Sequence, residues 1–327
     1  MSDGAGERFE VLEPFEVLAM GRIGVDIYPQ QIGVSLREVT SFGKYLGGSP
    51  SNVAVAAARH GRRTAVITRT GADPFGEFLH DALAGFGVAD RYVTPVPGLP
   101  TPVTFCEIFP PDDFPLYFYR FPKAPDLEIH EDELDLDAIR AAGLFWVTTT
   151  GLCQEPSRSA TLAALRARGK AGITVLDLDY RPMFWSSPQE AAEWIRQALP
   201  YVTVAVGNLD ECEVAVGTRD PHQAAQALHG FGVELAVVKQ GPAGVLGSDS
   251  DSEISVPPTP VQVVNGLGAG DGFGGALCHG LLAGWPLDRV LRFASGAGAI
   301  VASRLACADA MPSTEEVEAL LRGVVDA

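Results

Sequence analysis

The stretch Asn265-Gly266-Leu267-Gly268-Ala269-Gly270-Asp271-Gly272-Phe273-Gly274 decides the reading of this chain. Phe273, Leu277, Leu281 and Gly284 recur at helical spacing behind it. The small residues therefore open a helix, and the unpaired N–H groups of its first turn point out of the segment Gly268 to Asp271. An anion placed there meets several donors and the positive end of the helix dipole. Side chains no larger than methyl let a phosphate approach those amides. Asp271 would repel a phosphate, so its expected task is to take a proton from a hydroxyl that attacks one, assisted by the amides of Gly268, Ala269 and Gly270. The competing reading is a glycine-rich turn with Asp271 as an ordinary helix cap.

A second segment, Gly47-Gly48-Ser49-Pro50-Ser51-Asn52-Val53-Ala54, is followed by Gly61 and Gly71. Ser49 reads as an N-cap and Pro50 as the first helical residue, which places Asn52 in a first turn beside a glycine pair. Backbone and amide can both reach a polar ligand from there. A self-capping helix is the alternative.

Together the two segments resemble the signatures of the ribokinase-like (PfkB) carbohydrate kinases. The resemblance implies that Gly47, Gly48 and Asn52 hold sugar hydroxyls and that Asp271 is the catalytic base. Where the family writes Asp-Thr-Thr ahead of its Gly-Ala-Gly-Asp element, this chain has Asn265-Gly266-Leu267.

Along the chain, apolar runs at Val17–Met20, Ala65–Thr68, Leu144–Thr148, Ile173–Leu178, Val202–Val206 and Leu235–Val238 alternate with helical patterns. The helical patterns begin near Ser49, Phe75, Ser157, Pro188, Asp210, Pro221, Asp271 and Thr314. This predicts an α/β fold, a doubly wound and mainly parallel sheet with helices on both faces. Ligands are then expected at the carboxyl ends of the strands. Residues 1–12 read as a flexible tail and 13–327 as the α/β domain. Two stretches break the rhythm, at about 27–46 and 102–123, and in the family a small β lid over the sugar site is inserted at these places.

Charge and composition narrow the function. With 24 basic and 41 acidic residues the formal charge is −17, which argues against nucleic acid or an anionic membrane as partner. Five scattered cysteines without a C-x-x-C pair fit a reducing, cytoplasmic setting. No apolar run approaches a membrane span. No GxxxxGK[ST] occurs, which disfavours a Walker-type NTPase. Asp271 stands where a dinucleotide fingerprint would need its third glycine, so a dehydrogenase is a weak alternative.

Other residues take roles by the same resemblance. Asp26 would bind sugar hydroxyls; as a bare sequence feature it is also a turn cap. Asn208 and Glu211 match the family's Asn-x-x-Glu element, which organises Mg²⁺, water and phosphate, and they equally spell a capping box. Lys239, Gly241 and Gly244 resemble the nucleotide-side turn. Arg120 and Arg181 offer bidentate guanidinium groups for a substrate carboxylate, with Lys44 beside the sugar motif. The runs Asp26 to Gly33, Ser41 to Gly48, Phe114 to Arg120 and Asp179 to Pro182 resemble the branch that phosphorylates 5-dehydro-2-deoxygluconate in myo-inositol breakdown, with 2-keto-3-deoxygluconate as the alternative substrate. The cofactors implied are ATP and Mg²⁺, and the family also implies a homodimer formed through the lid. A sugar-binding sensor without turnover is the reading from another class.

Overall fold

Runs such as VLAM and LFWVT carry apolar side chains at nearly every position, as strands buried on both faces require. The computed structural model describes residues 13–325, so the tail expected over 1–12 lies outside the described residues. In chain order the strands are β1 (Val17–Met20), β2 (Gly24–Pro29), β3 (Phe42–Gly47), β4 (Thr64–Gly71), β5 (Val88–Ala89), β6 (Val93–Val96), β7 (Val103–Cys106), β8 (Leu116–Tyr119), β9 (Leu144–Thr148), β10 (Ile173–Asp177), β11 (Val204–Asn208), β12 (Leu235–Lys239), β13 (Val245–Ser248) and β14 (Glu253–Val256). The helices are α1 (Ser49–Arg59), α2 (Pro74–Gly85), α3 (Leu136–Ala141), α4 (Ser157–Arg168), α5 (Pro188–Ala198), α6 (Leu209–Val216), α7 (Pro221–Gly230), α8 (Ala269–Leu282), α9 (Leu287–Ala302) and α10 (Thr314–Val325).

The main sheet runs β14-β13-β12-β11-β10-β9-β1-β4-β5, with β6 joined to β4. It is parallel from β12 to β5, and β13 and β14 close one edge antiparallel. Adjacent side chains of β9 part to opposite faces. Trp146 joins the core under α1, α8 and α9, and Phe145 joins the core under α4 to α7. None of the described helices is long and apolar enough to cross a membrane.

The two rhythm-breaking stretches form a separate sheet, β3-β2-β7-β8. One face, carrying Asp26, Tyr28, Thr104 and Phe118, looks onto the carboxyl ends of the main strands. The other carries an edge-on aromatic row, with Phe105 5.7 Å from Phe42 and 5.6 Å from Tyr119 between ring centroids.

Two expectations change. Gly48, not Ser49, is the N-cap of α1, and no side chain caps that helix; Ser49 and Pro50 are buried within it. Helices α3 and α9 carry no start signal in the sequence reading, because α9 follows α8 after only Ala283 to Pro286 and its small residues blur the apolar stripe.

Candidate active site

The two glycine motifs meet because their helices pack closely. A Cβ on Gly275 of α8 would lie 2.2 Å from the Ala56 Cβ of α1, so only glycine permits this approach. The consequence at the mouth is that Asn52 Nδ2 donates to Asp271 Oδ2 at 2.8 Å. Asp271 does not cap α8. That place belongs to Gly268, with φ +80, a backbone conformation that would strain any residue with a Cβ. The carboxylate of Asp271 is free to face the cleft, and the amides of the first turn have no partner within the helix.

Asp271 lines a pocket with Arg22, Asp26, Asn52 and Arg181. Burial pushes its pKa up, while Ser49 and Asn52 favour the ionised form. Asp26 is 9% exposed and raised to about 6, chiefly by burial; Tyr28 and Arg22 oppose this and Asp271 adds to it. Tyr28 donates its hydroxyl proton to Asp26 Oδ2 at 3.0 Å, so the contact of 2.7 Å between its oxygen and Cys307 Sγ has the thiol as donor. Gly47 is needed here as well, since a Cβ would overlap the Asp26 carboxylate at 2.2 Å. Gly47 thus permits the close approach of Asp26, and Gly48 lines the pocket.

On the other side of Asp271 lies Lys239. A Cβ at Gly270 would come within 3.5 Å of its ammonium, which places that charge beside the N-terminus of α8. Burial would depress the Lys239 pKa, but Asp177, Glu211, Asp271 and Asp179 outweigh it and hold the pKa above its ordinary value. Asp177 is raised to about 7, by burial first and then by Glu211 and Asp179 against the pull of Lys239. Strand register sets Lys239 directly beside Asn208. Gly241 and Gly244 bracket the exposed turn that follows, where Gln240 N–H donates to Gly244 O at 2.8 Å.

Two expected roles are corrected, those of Lys44 and Arg120, and the pair Asn208 and Glu211 makes the cap given as its alternative. Asn208 and Glu211 close a reciprocal cap: Glu211 N–H donates to Asn208 Oδ1 at 2.9 Å and Asn208 N–H to Glu211 Oε2 at 2.7 Å. Among the described residues no three His, Cys, Asp or Glu side chains are grouped to hold a metal by themselves, so Mg²⁺ at this pair would need phosphate and water to complete its coordination. Lys44 points away from the pocket. It alternates with Tyr45, which packs on Tyr28, and its exposed ammonium sits 3.8 Å from the centroid of the Phe78 ring. Arg120 is taken by Asp126 at 2.7 Å and stacks 4.8 Å from the Phe184 centroid, so it does not line the pocket.

Arg22, Tyr28, Asp179 and Cys307 belong to the site, though the sequence reading gave them no role. Arg22 had a signal, a charged residue directly after a buried strand. Cys307 had none, because the loop after α9 brings it to Gly268 from 39 positions away in sequence, close enough that a Cβ on Gly268 would meet Sγ at 2.6 Å.

A family model for pfkB family carbohydrate kinases matches residues 15–314. The chain belongs to that family. It is thus a carbohydrate kinase, on the ribokinase-like fold. Its relatives include a 5-dehydro-2-deoxygluconokinase of Geobacillus thermodenitrificans, 31% identical over 323 residues, covering 97% of this chain and 96% of that one. A 5-dehydro-2-deoxygluconokinase of Geobacillus kaustophilus is 32% identical over 317 residues, with 95% and 94% covered. Among solved structures, the fructokinase from Vibrio cholerae in its fructose, ADP and calcium ion bound form superposes with a TM-score of 0.81 at 27% identity, covering 94% of this chain and 99% of that one.

Proposed function

We propose that this kinase transfers the terminal phosphoryl group of ATP to the terminal hydroxyl of 5-dehydro-2-deoxy-D-gluconate, with Asp271 as the general base. The observation that carries this is Asp271 itself, held by Asn52 in a pocket with two arginines and standing in the first turn of α8, where the Ala269 N–H has only a long bond of 3.4 Å to Gly266 O. The names of the relatives that match across nearly the whole chain support the sugar acid.

The substrate hydroxyl loses its proton to the Asp271 carboxylate as its oxygen bonds to the terminal phosphorus. The bond from that phosphorus to the bridging oxygen breaks, and ADP leaves. Amides of Ala269 and Gly270 and the Lys239 ammonium stabilise negative charge on the phosphoryl oxygens. Asp26 and Asn52 orient the sugar, and Lys239, Gly241 and Gly244 serve the nucleotide. The buried carboxylates Asp177 and Glu211 fit a divalent cation carried in by phosphates and water, the coordination Mg²⁺ prefers, with Asn208 and Glu211 ordering that water. Mg²⁺ bound in this way would neutralise phosphate charge. The small sheet would act as a lid that keeps water from competing as acceptor.

The five cysteines are unpaired, which supports a cytoplasmic setting. Phe42, Tyr117 and Tyr119 are exposed on the small sheet and would bury against a second copy of the lid, which sedimentation would detect. A coupled ADP-release assay over a panel of sugars and sugar acids tests the substrate. Asp271→Asn tests the base: turnover should fall by about a hundredfold to ten-thousandfold while calorimetry finds both substrates still bound. Full turnover in that variant would remove Asp271 from the role.

A further inference from the structure

Arg22 and Arg181 reach one buried carboxylate from two different strand ends. Arg22, just after β1, places Nη2 3.4 Å from Asp179 Oδ2, and Arg181, in the loop after β10, places Nη2 2.8 Å from Asp179 Oδ1. Asp179 is 3% exposed, so each of its oxygens orients one guanidinium. Both arginines line the pocket of Asp271. In each the Nε is buried without a partner, and no hydrogen bond within the described residues engages Nη1. Arg22 is further fixed against the small sheet, its guanidinium carbon 5.8 Å from the Phe118 ring centroid. Two cations on one anion leave one positive charge over. Asp26, Asp271, Asp177 and Glu211 also draw on it, Asp26 and Asp271 each with one oxygen engaged by Tyr28 and Asn52 respectively.

We propose that Arg22 is a specificity-determining residue: paired with Arg181 through the shared Asp179, it receives the acid group of the substrate. The inference rests on the sugar-acid reading above and assigns its recognition to this pair, in place of the Arg120 that Asp126 occupies. A guanidinium held from behind by a carboxylate keeps its remaining N–H groups in one plane toward the cleft, the geometry a carboxylate accepts. Lysine at position 22 would keep the charge and lose that planar fork.

The test compares wild type, Arg22→Met and Arg22→Lys on the sugar acid and on its C1 alcohol, in which CH₂OH replaces the carboxylate. Arg22→Met is expected to lose about tenfold to a hundredfold in kcat/KM for the acid, the worth of a hydrogen bond to a charged group, with less than about a threefold change for the alcohol. The KM for ATP should hold. Arg22→Lys should fall between wild type and Arg22→Met on the acid alone. Equal losses on acid and alcohol, or no loss on either, would overturn the inference and leave Arg22 a counter-ion of Asp179 and Asp26. Should Arg22→Met fail to melt as a folded protein, Arg22→Lys is read in the same comparison, where an acid-selective loss supports the pair and any other result overturns it. Wild-type preference for the alcohol would sink the sugar-acid reading itself, a failure visible before any substitution is made.

Discussion

Replacing Asp26 by asparagine should stabilise the fold at alkaline pH while damaging sugar binding. Asp26 is 9% exposed, and its pKa is raised to about 6. Burial is the main cause, and neither the Tyr28 hydroxyl at 3.0 Å nor the Arg22 charge offsets it. Against an ordinary value near 4, a rise of about two units means that the ionised form costs the folded state up to about 3 kcal/mol. The sign follows from proton binding. Between about pH 4 and 6 the folded chain holds a proton on Asp26 that the unfolded chain has released, so this group's contribution to stability is highest below about pH 4 and falls as pH rises through 6. The amide of Asp26→Asn keeps an acceptor for Tyr28, fits the space beside Gly47 and carries no charge. Urea titrations should therefore find Asp26→Asn more stable than wild type by about 1 to 3 kcal/mol at about pH 8, with the difference fading toward about pH 4. Its sugar KM should rise, because a neutral amide accepts hydroxyl protons more weakly than a carboxylate. A variant less stable than wild type at alkaline pH, or a difference that ignores pH, would refute the assignment of burial as the dominant effect on Asp26.

Asn52→Ala should raise the sugar KM far more than that for ATP. It should also move the acid limb of the turnover profile to higher pH, since Asp271 loses a bond at 2.8 Å that favours its ionised form; an unmoved limb would detach Asn52 from the base. Glu211→Gln keeps a capping side chain for the Asn208 N–H but removes the charge, so the Mg²⁺ dependence of turnover should shift to higher concentration, and an unchanged titration would leave Glu211 as a cap alone. Arg120→Ala strands Asp126, 3% exposed, without its cation, which should cost about 3 to 5 kcal/mol in urea unfolding. The preference of that variant for acid over alcohol should stay at the wild-type ratio; a selective loss on the acid would return Arg120 to substrate recognition.

The main sheet was legible because its strands are continuous apolar runs and its helices open on Pro or polar caps: Val17–Met20 and Leu144–Thr148 match to the residue, and Ser157, Pro188, Pro221 and Thr314 begin their helices as read. Asp271 and Asn52 were legible through the glycines around them. What failed to read was which partner each charged side chain would meet, near or far in sequence. Arg120 and Lys44 had the right chemistry in the right stretch, but strand alternation turned Lys44 toward Phe78 and six residues of chain returned Asp126 to Arg120. Asp179 has no role legible in its own run, since nothing local marks a carboxylate that will be claimed by an arginine 157 positions earlier. Ser49 shows the same limit at short range. A good capping residue lost the cap because Gly48, with φ +104, makes the turn one position sooner.

A net charge of −17 and a phosphate-transfer site are compatible because of how the cations are held. Lys239, Arg22 and Arg181 are the basic groups gathered at Asp271, and all are backed by carboxylates from one short segment at the end of β10. Asp177 acts on Lys239, and Asp179, two residues on, binds both arginines. The separation by two residues matters. Asp179 N–H donates to Asp177 Oδ1 at 3.2 Å, so the two carboxylates are tied together while one acts on Lys239 and the other on the two arginines. A half-buried cation with carboxylates behind it stays charged and stays put, whereas a surface lysine would be screened within about 10 Å at ordinary salt. The acidic excess of the chain as a whole repels polyanions at long range. Within the cleft the field is set by the nearest fixed groups, so a chain that is acidic as a whole still holds Lys239 beside the N-terminus of α8 and Arg22 and Arg181 along the pocket of Asp271, the positions the proposed reaction would use for phosphate and for a sugar acid.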